Sequence, residues 1–144
     1  MNKICLTLAL ILGVCFASNI KCTEKQKLAR ACTFEYEPVC GVKVDPSSNY
    51  IQSFSTYGNK CEACSEKGVE FYSSGECEKY PQDVVFCHPD AYLQPGCTRE
   101  LNPVCGYFDE SFQCQNSQCS SNYSNKCSAC INKEISYYLQ GFCK

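Results

Sequence analysis

The chain has 144 residues, sixteen of them cysteine, and a formal net charge of −2 with acidic and basic residues mixed along its length. With no basic block, it lacks the electrostatic footprint of a nucleic-acid-binding protein. So much cysteine in so short a chain points to a disulfide scaffold rather than to one large apolar core.

Residues 1–17 read as a secretory signal peptide. Lys3 supplies the positive start, Ile4–Phe16 is the apolar run, and Ala17 is the small residue for cleavage. A spanning helix needs about 20 apolar residues, and this run stops at Ser18-Asn19-Ile20-Lys21. The expectation is a secreted, extracellular protein with no membrane span. Cys5 and Cys15 leave with the leader, and the fourteen remaining cysteines form an even set.

Twelve of these fall into two ladders. Cys22, Cys32, Cys40, Cys61, Cys64 and Cys77 are spaced by 10, 8, 21, 3 and 13 residues. Cys87, Cys97, Cys105, Cys127, Cys130 and Cys143 are spaced by 10, 8, 22, 3 and 13. The chain therefore holds two copies of one module, at 18–79 and 80–144. Each is about 60 residues, a size at which disulfides supplement a small core.

Copy one carries Pro38–Val42 as the start of a strand. A polar stretch from Gly41 to Lys60 then reads as an exposed hairpin or loop. Asn59–Gly68 reads as a short helix capped by Asn59 and ended by Gly68, with Cys61 and Cys64 on one face. Val69–Tyr72 is a strand leading to Gly75 and Cys77. Glu78–Phe86, with Pro81, reads as a semi-extended linker between modules that fold separately. Copy two repeats the pattern with a strand from Pro103, a helix at Asn125–Lys133 and a strand at Glu134–Tyr138. The fold class is small disulfide-rich α+β, each module a short helix packed on a small antiparallel sheet. Cys114 and Cys119 are additions in the long loop of copy two, where the local choice is a bridge between them.

The Cys-x-x-Cys pairs invite zinc or redox readings. Both prefer a reducing compartment, which the leader argues against, and His88 is the single histidine available as a further ligand. No metal and no cofactor are expected. One histidine and no Ser/His/Asp constellation argue against catalysis, so no catalytic residue is named.

Ala31–Gly41 followed by Thr56-Tyr57-Gly58-Asn59-Lys60-Cys61, and Gly96–Gly106 followed by Tyr123-Ser124-Asn125-Lys126-Cys127, resemble the Kazal family of serine protease inhibitors. The resemblance covers nearly all of the chain after the leader. It implies pairings of Cys22–Cys64, Cys32–Cys61, Cys40–Cys77, Cys87–Cys130, Cys97–Cys127 and Cys105–Cys143. It implies that Phe34 and Arg99 enter the protease's specificity pocket, with Thr33, Glu35, Thr98 and Glu100 beside the presented bonds and able to brace each other across them. Asn59 and Asn125 would anchor the loops from the helix starts, and Pro38 and Pro103 would stiffen the exits.

The implied function is a secreted, monomeric, two-headed inhibitor. Phe34 suits the apolar slot of chymotrypsin-like or subtilisin-like proteases, and Arg99 the buried carboxylate of trypsin-like ones. The alternative is a non-inhibitory extracellular structural or adhesion protein built from the same modules. The chain departs from the family pattern in a longer third-to-fourth cysteine interval and a shorter fifth-to-sixth one. Asn122-Tyr123-Ser124 is an N-glycosylation sequon near Asn125.

Overall fold

A computed structural model describes residues 19–109, 114 and 119–144, with the backbone alone at 48–51. The expected leader, 1–17, lies outside the described residues. Among them, no helix is long and apolar enough to cross a membrane.

The chain forms two four-stranded antiparallel sheets with short helices and seven disulfides. Copy one contains β1 (Asn19–Lys21), α1 (Glu24–Lys27), β2 (Val39–Asp45), β3 (Ser48–Tyr57), α2 (Lys60–Ser65) and β4 (Val69–Ser74). Copy two contains β5 (Val85–Phe86), β6 (Val104–Phe108), β7 (Ser120–Tyr123), α3 (Lys126–Cys130) and β8 (Ile135–Gln140). The sheet orders are β1-β4-β2-β3 and β5-β8-β6-β7, so the same topology is built twice.

Local signals explain most of these elements. The short α1 was not foreseen. It starts at a capping box in which Thr23 accepts from the Gln26 N–H while Gln26 accepts from the Thr23 N–H. The expected hairpin after Cys40 is β2–β3. The helix α2 is shorter than Asn59–Gly68: the chain is already extended at Glu66 (φ −74°, ψ 131°), and Gly68 (φ 89°) then turns it into β4. Gly41 has a steric role. A Cβ there would lie 2.6 Å from Tyr57 Cε2, so only glycine lets that ring cross β2 against Ala63.

Alternation along β2 sends Val39 to one face and Cys40 and Val42 to the other, and all three are buried. On the Val39 face, α2 brings Ala63 and Cys64 against Val69 and Tyr72. On the other face, Cys40, Val42, Phe71 and Cys77 are covered by Val84 and Phe86. The segment Glu78–Phe86 is therefore not a linker between separately packed modules. After a 3-10 turn at Cys77–Lys79 it returns Val84 and Phe86 to copy one's core. The apolar pair is what pulls it in, since each fully buried large side chain contributes about 1.5–3 kcal/mol. Copy two has its own core of Cys87, Val104, Ala129, Ile135 and Tyr138 under α3.

The pairings are Cys22–Cys64, Cys32–Cys61, Cys40–Cys77, Cys87–Cys130, Cys97–Cys127, Cys105–Cys143 and Cys114–Cys119. Each Cys-x-x-Cys pair is thus spent on two separate bridges, which leaves no thiolate pair for metal or redox chemistry.

Candidate functional site

Between the second and third cysteine of each copy the chain runs without regular structure into the sheet. No described non-glycine residue has positive φ, so these segments carry no left-handed backbone strain. Each is held at its start by a disulfide to the helix, Cys32–Cys61 onto α2 and Cys97–Cys127 onto α3. Each is held at its end by ladder-like bonds. The Glu37 N–H donates to Gly58 O at 2.9 Å and Gly75 N–H to Pro38 O at 2.9 Å. In copy two Asn102 N–H donates to Ser124 O at 2.9 Å and Gly141 N–H to Pro103 O at 2.8 Å.

The centre of each segment is clamped by one asparagine. Asn59 Nδ2 donates to Thr33 O and Glu35 O, both at 3.0 Å, while its Oδ1 accepts from the Glu62 N–H at 3.0 Å. Asn125 Nδ2 donates to Thr98 O at 3.1 Å and Glu100 O at 2.8 Å, and its Oδ1 accepts from the Ser128 N–H at 2.9 Å. A single carboxamide caps the helix and grips the two carbonyls that bracket Phe34 or Arg99. Asn59 and Asn125 are 6% and 5% exposed, so these bonds are shielded from competing water.

Outside the clamps everything faces solvent. Phe34 is fully exposed, at 104%, and Tyr36 and Leu101 are largely so. Thr33, Glu35, Thr98, Arg99 and Glu100 are also exposed. A bare phenylalanine ring costs free energy in water that a core position would recover. This ring is presented from a clamped loop, with Tyr36 exposed two residues on. The bracing expected between Thr33 and Glu35, and between Thr98 and Glu100, does not form among the described residues. The asparagines hold the backbone on both sides of the central residue, which leaves those side chains unengaged.

Two supports were not read from the sequence. Tyr36 donates its hydroxyl to Glu76 Oε1 at 3.0 Å, and this bond with the carboxylate's charge raises the phenol's pKa. In copy two, Gln140 Nε2 donates to Asn102 Oδ1 at 2.5 Å and Pro103 O at 3.1 Å. These partners lie 40 and 38 residues apart, beyond the reach of local pattern.

Asn122 lies on β7 opposite Cys105, exposed, with its Oδ1 accepting from the Cys143 N–H at 2.7 Å. Thr56, opposite Cys40, does the same for the Cys77 N–H at 2.9 Å.

A small α+β protein with two cross-linked sheets, each carrying one clamped and exposed loop, is the class that fold and site define. Turripeptide Gsp9.3 of Gemmula speciosa is 32% identical to it over 82 residues, spanning 54% of this chain and 100% of that protein. The chain belongs to the family of that turripeptide. No protein-family model matches it, and no solved structure does. The disulfide framework and this kinship are consistent with secretion.

Proposed function

We propose that the chain is a secreted, two-headed serine protease inhibitor of the Kazal type. One observation carries the reading. In both copies a buried asparagine grips the carbonyls on either side of one exposed residue, Phe34 or Arg99. The domains are then 18–79 and 80–144, released after removal of a leader at 1–17.

The mechanism follows from the restraint. A serine protease attacks a carbonyl held in its oxyanion hole. A loop already clamped loses little entropy on docking, so association is tight. If the Phe34–Glu35 bond is cut, the serine holds the Phe34 carbonyl as an ester and Glu35 becomes a free amine. The Cys32–Cys61 bridge, the Asn59 clamp and the Glu37–Gly58 bond keep that amine beside the ester. The amine re-attacks, expelling the serine oxygen, faster than the product departs. The same argument holds for Arg99–Glu100 with Cys97–Cys127 and Asn125.

Phe34 fits an apolar pocket and Arg99 one with a buried carboxylate, so the heads address different proteases. Titration of the oxidised protein against chymotrypsin, subtilisin and trypsin tests this. Stoichiometric inhibition of trypsin and of one of the others is expected. A protein with the native disulfide map that inhibits none of the three is a structural or adhesion module instead.

Asn122 is proposed as an N-glycan acceptor. Its Oδ1 is committed to the Cys143 N–H, and among the described residues its Nδ2 donates to no protein group, so a sugar there breaks nothing. Asn122→Thr copies Thr56 and keeps the bond while removing the sequon. Secretion from eukaryotic cells should give a wild-type mass higher by one glycan; equal masses for both proteins would remove the assignment.

A further inference from the structure

Among the described residues every disulfide closes within one copy, so the covalent framework alone would leave two beads on a string. The noncovalent contacts say otherwise. We infer that the two copies form one rigid body, locked by Asn19 and Phe86, so that the two exposed loops keep a fixed mutual orientation.

Asn19 belongs to copy one through its backbone, pairing with Ser73 in the β1–β4 ladder. Its side chain belongs to copy two. Asn19 Nδ2 donates to Cys87 O at 2.7 Å and to Ser136 O at 2.6 Å, and its Oδ1 accepts from Ser136 Oγ at 3.4 Å. The Cys87 N–H donates to the same Ser136 O at 2.9 Å, so the carboxamide closes the open end of the β5–β8 ladder. Asn19 is 4% and Ser136 is 4% exposed.

Phe86 does the converse. Its backbone pairs with Tyr137 in copy two's sheet, while its ring is 1% exposed in copy one's core. It meets Tyr80 edge-on at 4.8 Å, Phe54 at 5.7 Å and Tyr137 at 6.3 Å. Gln52 of β3 grips its backbone at both ends, accepting from Phe86 N–H at 3.0 Å and donating to Phe86 O at 2.9 Å. That is the bonding of one strand residue, supplied by a side chain. Around this pair, Lys21 is ion-paired with Asp90, His88 Nε2 lies 3.4 Å from Glu70 Oε2, and the His88 ring stands edge-on to Phe71.

Separated copies would leave Phe86 and the apolar face of Val42 and Phe71 in water, and Asn19's carboxamide without its protein partners. No flexible hinge tolerates two residues whose backbones and side chains sit in different copies. The lock holds whatever the loops bind.

Residual dipolar couplings of the full-length, oxidised protein test it. Amides of β2–β4 and of β6–β8 should fit one alignment tensor; two tensors would overturn the inference. Asn19→Asp keeps the shape and loses both donated bonds. It should raise hydrogen exchange at the Cys87 amide by about tenfold and split the tensor, with an unchanged disulfide map showing that each copy is folded. Gln52→Ala, a milder cut at the other side, should raise exchange at the Phe86 amide. If neither variant moves exchange at its amide or the tensor, Asn19 and Phe86 do not hold the copies together.

Discussion

The two copies share a topology, a six-cysteine disulfide pattern and an asparagine clamp, and two of their differences stand out. One is the tip of the loop, Phe34 against Arg99, where nothing in the fold constrains the side chain. The other is the residue before the first cysteine, Lys21 in copy one and Phe86 in copy two. Lys21 reaches out to Asp90, whereas Phe86 reaches into the other copy's core. On the proposed function, the first difference would give each head its own protease. The second makes two heads into one object. The copies thus share what holds a loop still and differ in what its tip presents and in how each meets the other.

The largest expected effect comes at the loop tips. Arg99→Ala should weaken trypsin inhibition about a thousandfold, the loss of a ~4 kcal/mol anchor residue, and leave the Phe34 head's inhibition constant unchanged. Exchanging the tips, Phe34→Arg with Arg99→Phe, should exchange the specificities of the heads. A swap that abolished both activities would mean that the frames around the tips are not equivalent after all.

Next in size is the position before the first cysteine. Phe86→Ala should cost about 3–5 kcal/mol in urea unfolding of the oxidised protein, as for other buried rings removed from a packed core. Lys21→Ala, at the matching position and exposed, should stay within about 0.5 kcal/mol. Similar losses for the two would show that the shared core contributes little.

The clamps should behave alike. Asn59→Ala and Asn125→Ala each remove a helix cap, costing about 1–2 kcal/mol, and each frees its loop. Inhibition by the altered head should fall, with hydrolysis of its Phe34–Glu35 or Arg99–Glu100 bond accelerating, while the other head is unaffected. Mass spectrometry of timed digests reads both bonds at once.

These contrasts also show what the sequence made legible. Cysteine spacing and local strand and helix-start signals marked the repeat, the main strands and the short helices, because these signals recur, while the clamp role of Asn59 and Asn125 came from the family resemblance. The short α1 carried its own signal in Thr23 and Gln26, which went unread beside the cysteines. The junction was hidden for a different reason. Val84 and Phe86 stand in a segment with Pro81 and charged neighbours, and their burial depends on Val42, Phe71 and Tyr137, far off in sequence. Asn19 is a polar residue next to the expected leader, and only the folded chain brings Cys87 and Ser136 to it. Tyr36–Glu76 and Gln140–Asn102 were invisible on the same ground.

The smallest effect separates the copies by acid. The Cys77 N–H donates to Thr56 Oγ1, and that hydroxyl donates to Glu78 Oε2 at 2.8 Å. Backbone hydrogen bonding at Glu78 itself, and then the Thr56 hydroxyl, hold this carboxylate below its ordinary range. A depressed carboxylate contributes its stabilisation at neutral pH and loses it as pH falls through the lowered value. In copy two the Cys143 N–H ends on Asn122, which does not titrate. In an acid titration by NMR, the Cys77 amide should therefore step with a midpoint below the ordinary glutamate range. Glu78→Gln should erase that step and leave the Cys143 amide's profile as it was. A Cys77 step that survives the substitution would mean that the relay through Thr56 is not what couples the last cysteine of copy one to solvent.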